Sequence, residues 1–219
     1  MSEQHVFFNA GSLKLEGMYY QAPASSLRPA AVICHPHPVY GGTMDNNVVM
    51  AVARALQETG HSTLRFNFRG TGLSEGSYSG GISEVDDVRA AMGFVREKTG
   101  NAESPIILAG YSFGAWVAAN ALAGDRTISH VILVAPPTSM FDFSILNKDT
   151  EERARHFIVG DRDQFCDREA LQKIFDGLPK PKSLRIVPHT DHFFFAHEKF
   201  LVEAVKEALI NGDSPQKTG

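Results

Sequence analysis

The chain has 219 residues, 43% of them apolar and 21% charged, with a formal net charge of −4; this is enough for one domain with a substantial core. Its lysines and arginines are scattered rather than clustered, so nothing recommends nucleic acid or an anionic membrane surface as a partner. No apolar run approaches the ~18–20 residues that span a bilayer, and the opening "MSEQHVFFNAG" has neither region of a signal peptide.

Two cysteines, Cys34 and Cys166, form neither a disulfide framework nor a Cys-x-x-Cys motif. A reducing cytoplasm is therefore the expected setting, with both thiols free and structural.

In chain order, "HVFFN" and "LKLEGMYY" lie either side of Ala-Gly-Ser and predict a hairpin. "AAVIC" (Ala30 to Cys34) and "STLRFNF" (Ser62 to Phe68) predict the next strands, with the helical spacing of "NNVVMAVARALQET" between them, ending at Gly60. The loop "RGTGLSEGSYSGGIS" then leads to a helix from Glu84 to Lys98. "PIILA" is a buried-type strand followed by a helix in "FGAWVAANALAG". "HVILVAPP" and "HFIVG" are two more interior strands. "REALQKIFDGL" predicts an amphipathic helix, "SLRIV" the last strand and "AHEKFLVEAVKEALI" the closing helix. The alternation implies an α/β domain over residues 1–212 with a mostly parallel sheet, and a polar, flexible tail at 213–219.

Two stretches, "GLSEG" around Ser74 and "GYSFG" around Ser112, read Gly-x-Ser-x-Gly. That pattern marks a nucleophile elbow only where a buried strand runs into it and a helix leaves it. The turn then lifts the serine oxygen above the sheet, at the helix N-terminus. "GYSFG" has "PIILA" before it and "AWVAANALAG" after it, whereas "GLSEG" is followed by "SYSGGIS", which has no helical pattern. Ser112 is the candidate nucleophile and Ser74 a loop serine.

A serine hydroxyl needs a histidine to take its proton and a carboxylate to orient that histidine. "HFIVGDRD" offers Asp161 and Asp163 directly after a strand, and "SLRIVPHTDHFFF" offers His189 and His192 after the last one. The order serine, acid, histidine is the one α/β hydrolases use.

Taken together, "CHPHPVYGGTMDNNVV", "RFNFRGTGLSEG", "GYSFGAW", "VGDRDQF" and "HTDHFF" resemble the α/β-hydrolase superfamily over nearly the whole chain, and most of all its compact dienelactone-hydrolase-like bacterial members. The resemblance implies about eight strands in a mostly parallel sheet flanked by helices. Its Arg-Gly-x-Gly-x-Ser loop falls on Arg69, Gly70, Gly72 and Ser74, which accounts for the second pattern as structure. It implies Ser112 as nucleophile, Asp163 as acid, three residues after Gly160, and His192 as base. Asp161 is the rival acid, closer to the strand end, and His189 a loop residue. Dienelactone hydrolases proper carry cysteine at the elbow, so Ser112 does not point to their particular substrate.

For an oxyanion hole, the Phe113 backbone N–H is one expected donor and the loop after "AAVIC" supplies the other. Pro36 and Pro38 have no N–H, so within "HPHPV" only His35, His37 and Val39 can donate; the family's donor position is His37, and Val39 or Tyr40 is the alternative if "HPHP" is merely a rigid turn. "HPH" and "HTDH" carry metal-ligand residue types, yet no cysteine joins them and His192 would be occupied with Ser112. No metal or cofactor is expected.

Only Thr138 to Arg155 separates two strands where many relatives insert a lid, room for one short helix or loop. Of its apolar residues, Met140, Phe141, Phe143, Ile145 and Leu146 either line an acyl pocket or pack on the core. Phe193 to Phe195 are expected to be core. The expected activity is hydrolysis of small carboxylic esters, thioesters being the neighbouring class, by a cytoplasmic monomer or homodimer. An acylaminoacyl-type peptidase and a non-catalytic binding protein on the same fold are the alternatives.

Overall fold

The structure, a computed structural model, describes residues 2–100 and 103–212; the expected tail at 213–219 lies outside them. β1 (Gln4–Ala10) and β2 (Leu13–Tyr20) form the expected hairpin, with Gly11 at φ 61° in its turn. β3 (Ala30–Cys34), α1 (Asn47–Glu58), β4 (Thr63–Phe66), α2 (Glu84–Thr99), β5 (Ile106–Tyr111), α3 (Phe113–Ala121), β6 (Ile128–Val134), β7 (Ala154–Gly160), α4 (Arg168–Gly177), β8 (Lys182–Val187) and α5 (Glu198–Gly212) follow.

All eight strands join one sheet in the order β1-β2-β4-β3-β5-β6-β7-β8. β2 pairs antiparallel with β1 and β4, and every pairing from β4 through β8 is parallel. A parallel sheet needs helices on both faces. Val48, Val52 and Leu56 of α1 and Leu201, Val205 and Leu209 of α5 cover one face, and α2, α3 and α4 cover the other through residues such as Met92, Val117 and Leu171.

Local chemistry sets the helix ends. The Asn46 side chain accepts the Val48 N–H at 3.0 Å to start α1, and Asp167 Oδ1 accepts the N–H groups of Glu169 and Ala170 to start α4. Glu84, Asp86 and Asp87 open α2 and Arg96 and Lys98 close it, matching the helix dipole.

Between β6 and β7 there is only a short 3₁₀ turn, Ser144–Lys148, and no lid. Phe143 and Leu146 are buried there, and Ile145 packs on the same core. No helix among the described residues is long and apolar enough to cross a membrane.

Candidate active site

The parallel strands all deliver their C-terminal ends to one edge of the sheet, the place where an open α/β sheet forms a crevice. At β5, Ser112 turns the chain into α3 with φ 55° and ψ −121°, a conformation non-glycine residues rarely adopt. The flanking glycines are dictated by space: a Cβ on Gly110 would overlap the Gly114 carbonyl, and one on Gly114 would overlap the carbonyl oxygens of Cys34 and His35. The Ser112 N–H donates to Val134 O at 3.0 Å, which pins the turn to β6.

His192 lies on the loop after β8, buried, with Nε2 2.9 Å from Ser112 Oγ. Its Nδ1 is 3.0 and 2.9 Å from the two carboxylate oxygens of Asp163, which follows β7 and is also buried. Asp163 Oδ1 further accepts the Phe165 N–H at 2.9 Å. The imidazole packs against the rings of Tyr111 and Phe165, and the Tyr111 hydroxyl donates to His192 O at 3.1 Å.

The rival residues have other partners. Asp161 Oδ1 accepts the Thr190 N–H at 3.1 Å, and backbone hydrogen bonds from His189 and Thr190 hold its carboxyl below the usual range. His189, at φ 57°, accepts from the Arg162 guanidinium on the exposed side of that loop. Ser74 is buried beneath the loop after β4: its hydroxyl donates to Asn67 O at 2.7 Å and accepts the Glu16 N–H at 2.9 Å. Arg69, at the head of that loop, forks onto the buried carboxylate of Asp87.

In the loop after β3, Pro38–Tyr40 form a 3₁₀ turn capped by the His37 imidazole, whose Nδ1 accepts the Val39 N–H at 3.2 Å. The Tyr40 N–H donates to His37 O at 3.1 Å. Both rivals to His37 as oxyanion donor are therefore engaged within the turn. The Phe113 N–H is the first of α3, a position with no intrahelical partner. His37 Nε2 and the Tyr78 hydroxyl are 3.0 Å apart, and the His37 ring also packs on Phe113. Burial pulls the His37 pKa down, opposed by the charge of Glu84. Among the described residues, no group of three or more His, Cys, Asp and Glu side chains is arranged to hold a metal ion.

Residues 28–146, more than half of the chain, match the hydrolase family described as serine aminopeptidase, S33. The chain belongs to that family. An uncharacterized protein of Rickettsia prowazekii (strain Madrid E) is 33% identical over 214 residues, covering 94% of this chain and 88% of that one. Among solved structures, an alpha-beta serine hydrolase homologue from Coxiella burnetii is 32% identical with a TM-score of 0.84, covering 95% of this chain and 98% of its own. A serine hydrolase without a lid from Xanthomonas campestris is 31% identical, also at TM-score 0.84, covering 98% of both chains. The chain is thus a small lidless α/β hydrolase of the S33 family.

In this S33-family chain a cleft of about 440 Å³ opens over Ser112 and His192. Its walls are largely apolar, with Tyr40, Met140, Phe141, Phe165 and Phe193 among them, and none of the lining residues is acidic or basic apart from the two histidines. Met140 and Phe141 therefore line the cleft, while Phe143 and Leu146 belong to the core. The expectation that all of Phe193 to Phe195 are core is corrected. Phe194 alone is buried, Phe193 lines the cleft and Phe195 is 67% exposed. The cause is backbone: Phe194 and Ala196 have positive φ, so the run follows neither strand nor helix periodicity. Tyr111, Asn46 and Phe165 also line the cleft without having been singled out in the sequence; Tyr111 was legible as the second residue of the elbow motif, between Gly110 and Ser112.

Proposed function

We propose that this hydrolase cleaves carboxylic esters of uncharged acyl groups, with thioesters as the neighbouring class, through an acyl-enzyme on Ser112. The observation that carries the reading is the continuous line of contacts from Ser112 Oγ to His192 Nε2 at 2.9 Å and from His192 Nδ1 to Asp163 at 2.9 Å. In this reading Ser112 Oγ attacks the ester carbonyl as His192 Nε2 takes its proton. The oxyanion is met by the backbone N–H groups of Phe113 and His37. As the tetrahedral intermediate collapses, the alcohol leaves with the proton from His192. Water repeats the sequence and releases the acid. Asp163 keeps the His192 proton on Nδ1 and stabilises the imidazolium that forms.

A second reading follows from the family's description as serine aminopeptidase. An aminopeptidase must meet a free α-ammonium, and the lining of the cleft offers no carboxylate for one. That favours the ester reading, with a small-molecule partner rather than nucleic acid or membrane, in a cytoplasmic monomer or homodimer.

The test is a rate profile over short-chain p-nitrophenyl esters, acyl thioesters and aminoacyl p-nitroanilides, each with the Ser112→Ala control. Ester turnover that vanishes in Ser112→Ala supports the reading; a preference for the aminoacyl anilides overturns it in favour of the peptidase.

A further inference from the structure

His35 is a buried titratable group for which the mechanism above has no use. It follows β3, is 0% exposed and packs on Phe68. Its Nε2 accepts the Phe68 backbone N–H at 3.0 Å, so that nitrogen carries no proton. In the neutral ring the proton is then on Nδ1, which lies 2.6 Å from the Pro36 carbonyl oxygen. Burial holds the ring neutral, pulling its pKa down to about 4 although the bond to Pro36 O works the other way.

The Pro36 carbonyl and the His37 N–H are the two ends of one planar peptide unit, trans here, in which C=O and N–H point in opposite directions. Whatever fixes and polarises the oxygen therefore fixes and polarises the N–H. Two further features hold the same unit in place. His37 O accepts the N–H groups of both Tyr40 and Gly42, which locks the following peptide. Gly42 sits so close that a Cβ there would overlap the Pro36 carbonyl oxygen.

We propose that His35 is a positioning residue for the oxyanion hole: its Nδ1–H grips the Pro36 carbonyl and so aims and polarises the His37 N–H at the developing oxyanion. Hydrogen bonds then run in series from the Phe68 N–H through the imidazole and the Pro36–His37 peptide to the substrate oxygen, each strengthening the next. The sequence "HPHP" acquires a division of labour, the first histidine acting through its ring and the second through its backbone. The inference rests on the reading of the His37 N–H as an oxyanion donor.

His35→Asn keeps an amide donor near the Nδ1 position and loses the acceptor for Phe68. His35→Gln reaches the Phe68 N–H with its oxygen and lacks the donor beside Pro36. Because the donor acts on the transition state, His35→Gln should lose roughly 10- to 30-fold in kcat with KM within about twofold, while His35→Asn stays within about threefold of wild type. Affinity for a boronic acid inhibitor should fall in step with kcat/KM. Equal losses in the two variants, or a loss confined to KM, would overturn the proposal. Should either variant fail to fold, a long-range ¹H–¹⁵N spectrum of the wild type decides on its own: a proton on His35 Nδ1 is expected, and one on Nε2 overturns it. End-point labelling by a fluorophosphonate separates the two levels. A wild type that is never labelled sinks the serine-hydrolase reading itself, whereas labelled protein with undiminished turnover in His35→Gln sinks only this inference.

Discussion

Two aspartates stand two residues apart after β7, and what separates them is the group each one serves. Asp163 turns inward to the His192 ring, while Asp161 ties its carboxylate to the Thr190 backbone. Asp163→Asn should therefore lower kcat by about 10⁴, as loss of the orienting carboxylate does in a triad, and Asp161→Asn by less than about tenfold. Measuring ester turnover for both variants checks this, and the reverse ranking would exchange their roles. Ser74→Ala belongs to the same comparison. Its hydroxyl joins Glu16 and Asn67 across a buried loop, so its loss should cost about 1–3 kcal/mol of stability in urea unfolding and leave kcat unchanged. A drop in kcat at unchanged stability would contradict that role.

At the scale of elements, the strand-turn-helix at β5 and α3 was legible because its requirements are local: an apolar run, two glycines and a run of small residues. Gly114 shows how tight the turn is, because its α-carbon faces the carbonyls that end β3. Gly114→Ala should destabilise the fold by about 2–4 kcal/mol through backbone displacement. Gly93→Ala should stabilise it by about 0.5–1 kcal/mol, since Gly93 lies within α2 with nothing within 4 Å of an added Cβ. Urea titrations of the pair test this, and equal midpoints would contradict it. Other boundaries were hidden by long-range partners. β7 begins at Ala154, two residues before "HFIVG", because Arg155 is buried in the strand, with Arg153 buried just before it, and both pair with Asp149. Charged residues at a strand entrance look like loop until that partner is known. β6 likewise begins at Ile128, where the pairing with β5 shifts register between Ile106 and Ile107. The capping of Pro38–Tyr40 by the His37 ring and the grip of His35 on Pro36 depend on side-chain directions that residue spacing does not encode.

For the molecule as a whole, buried histidines couple stability to pH. His35 and His156 are both pulled down to about 4, chiefly by burial, with the charge of His130 adding to the effect at His156. Unfolded, each would titrate near 6.5. Between these values the unfolded chain binds more protons than the folded one. The contribution is therefore full above the unfolded pKa and is lost as pH falls toward the folded one, by up to about 3 kcal/mol for each histidine. Thermal unfolding should show Tm falling from pH 7 to pH 4.5, with a smaller fall in His156→Gln; a level Tm over that range would contradict it. The same architecture gathers five loop regions, after β3, β5, β6, β7 and β8, over one apolar cleft without a lid. The proposed ester hydrolysis requires this cleft to activate Ser112. Treatment with a fluorophosphonate followed by peptide mass mapping tests it most directly. One adduct is expected, on Ser112, absent from Ser112→Ala and unaffected by Ser74→Ala; an unlabelled wild type, or an adduct on Ser74, would overturn the assignment of Ser112 as nucleophile.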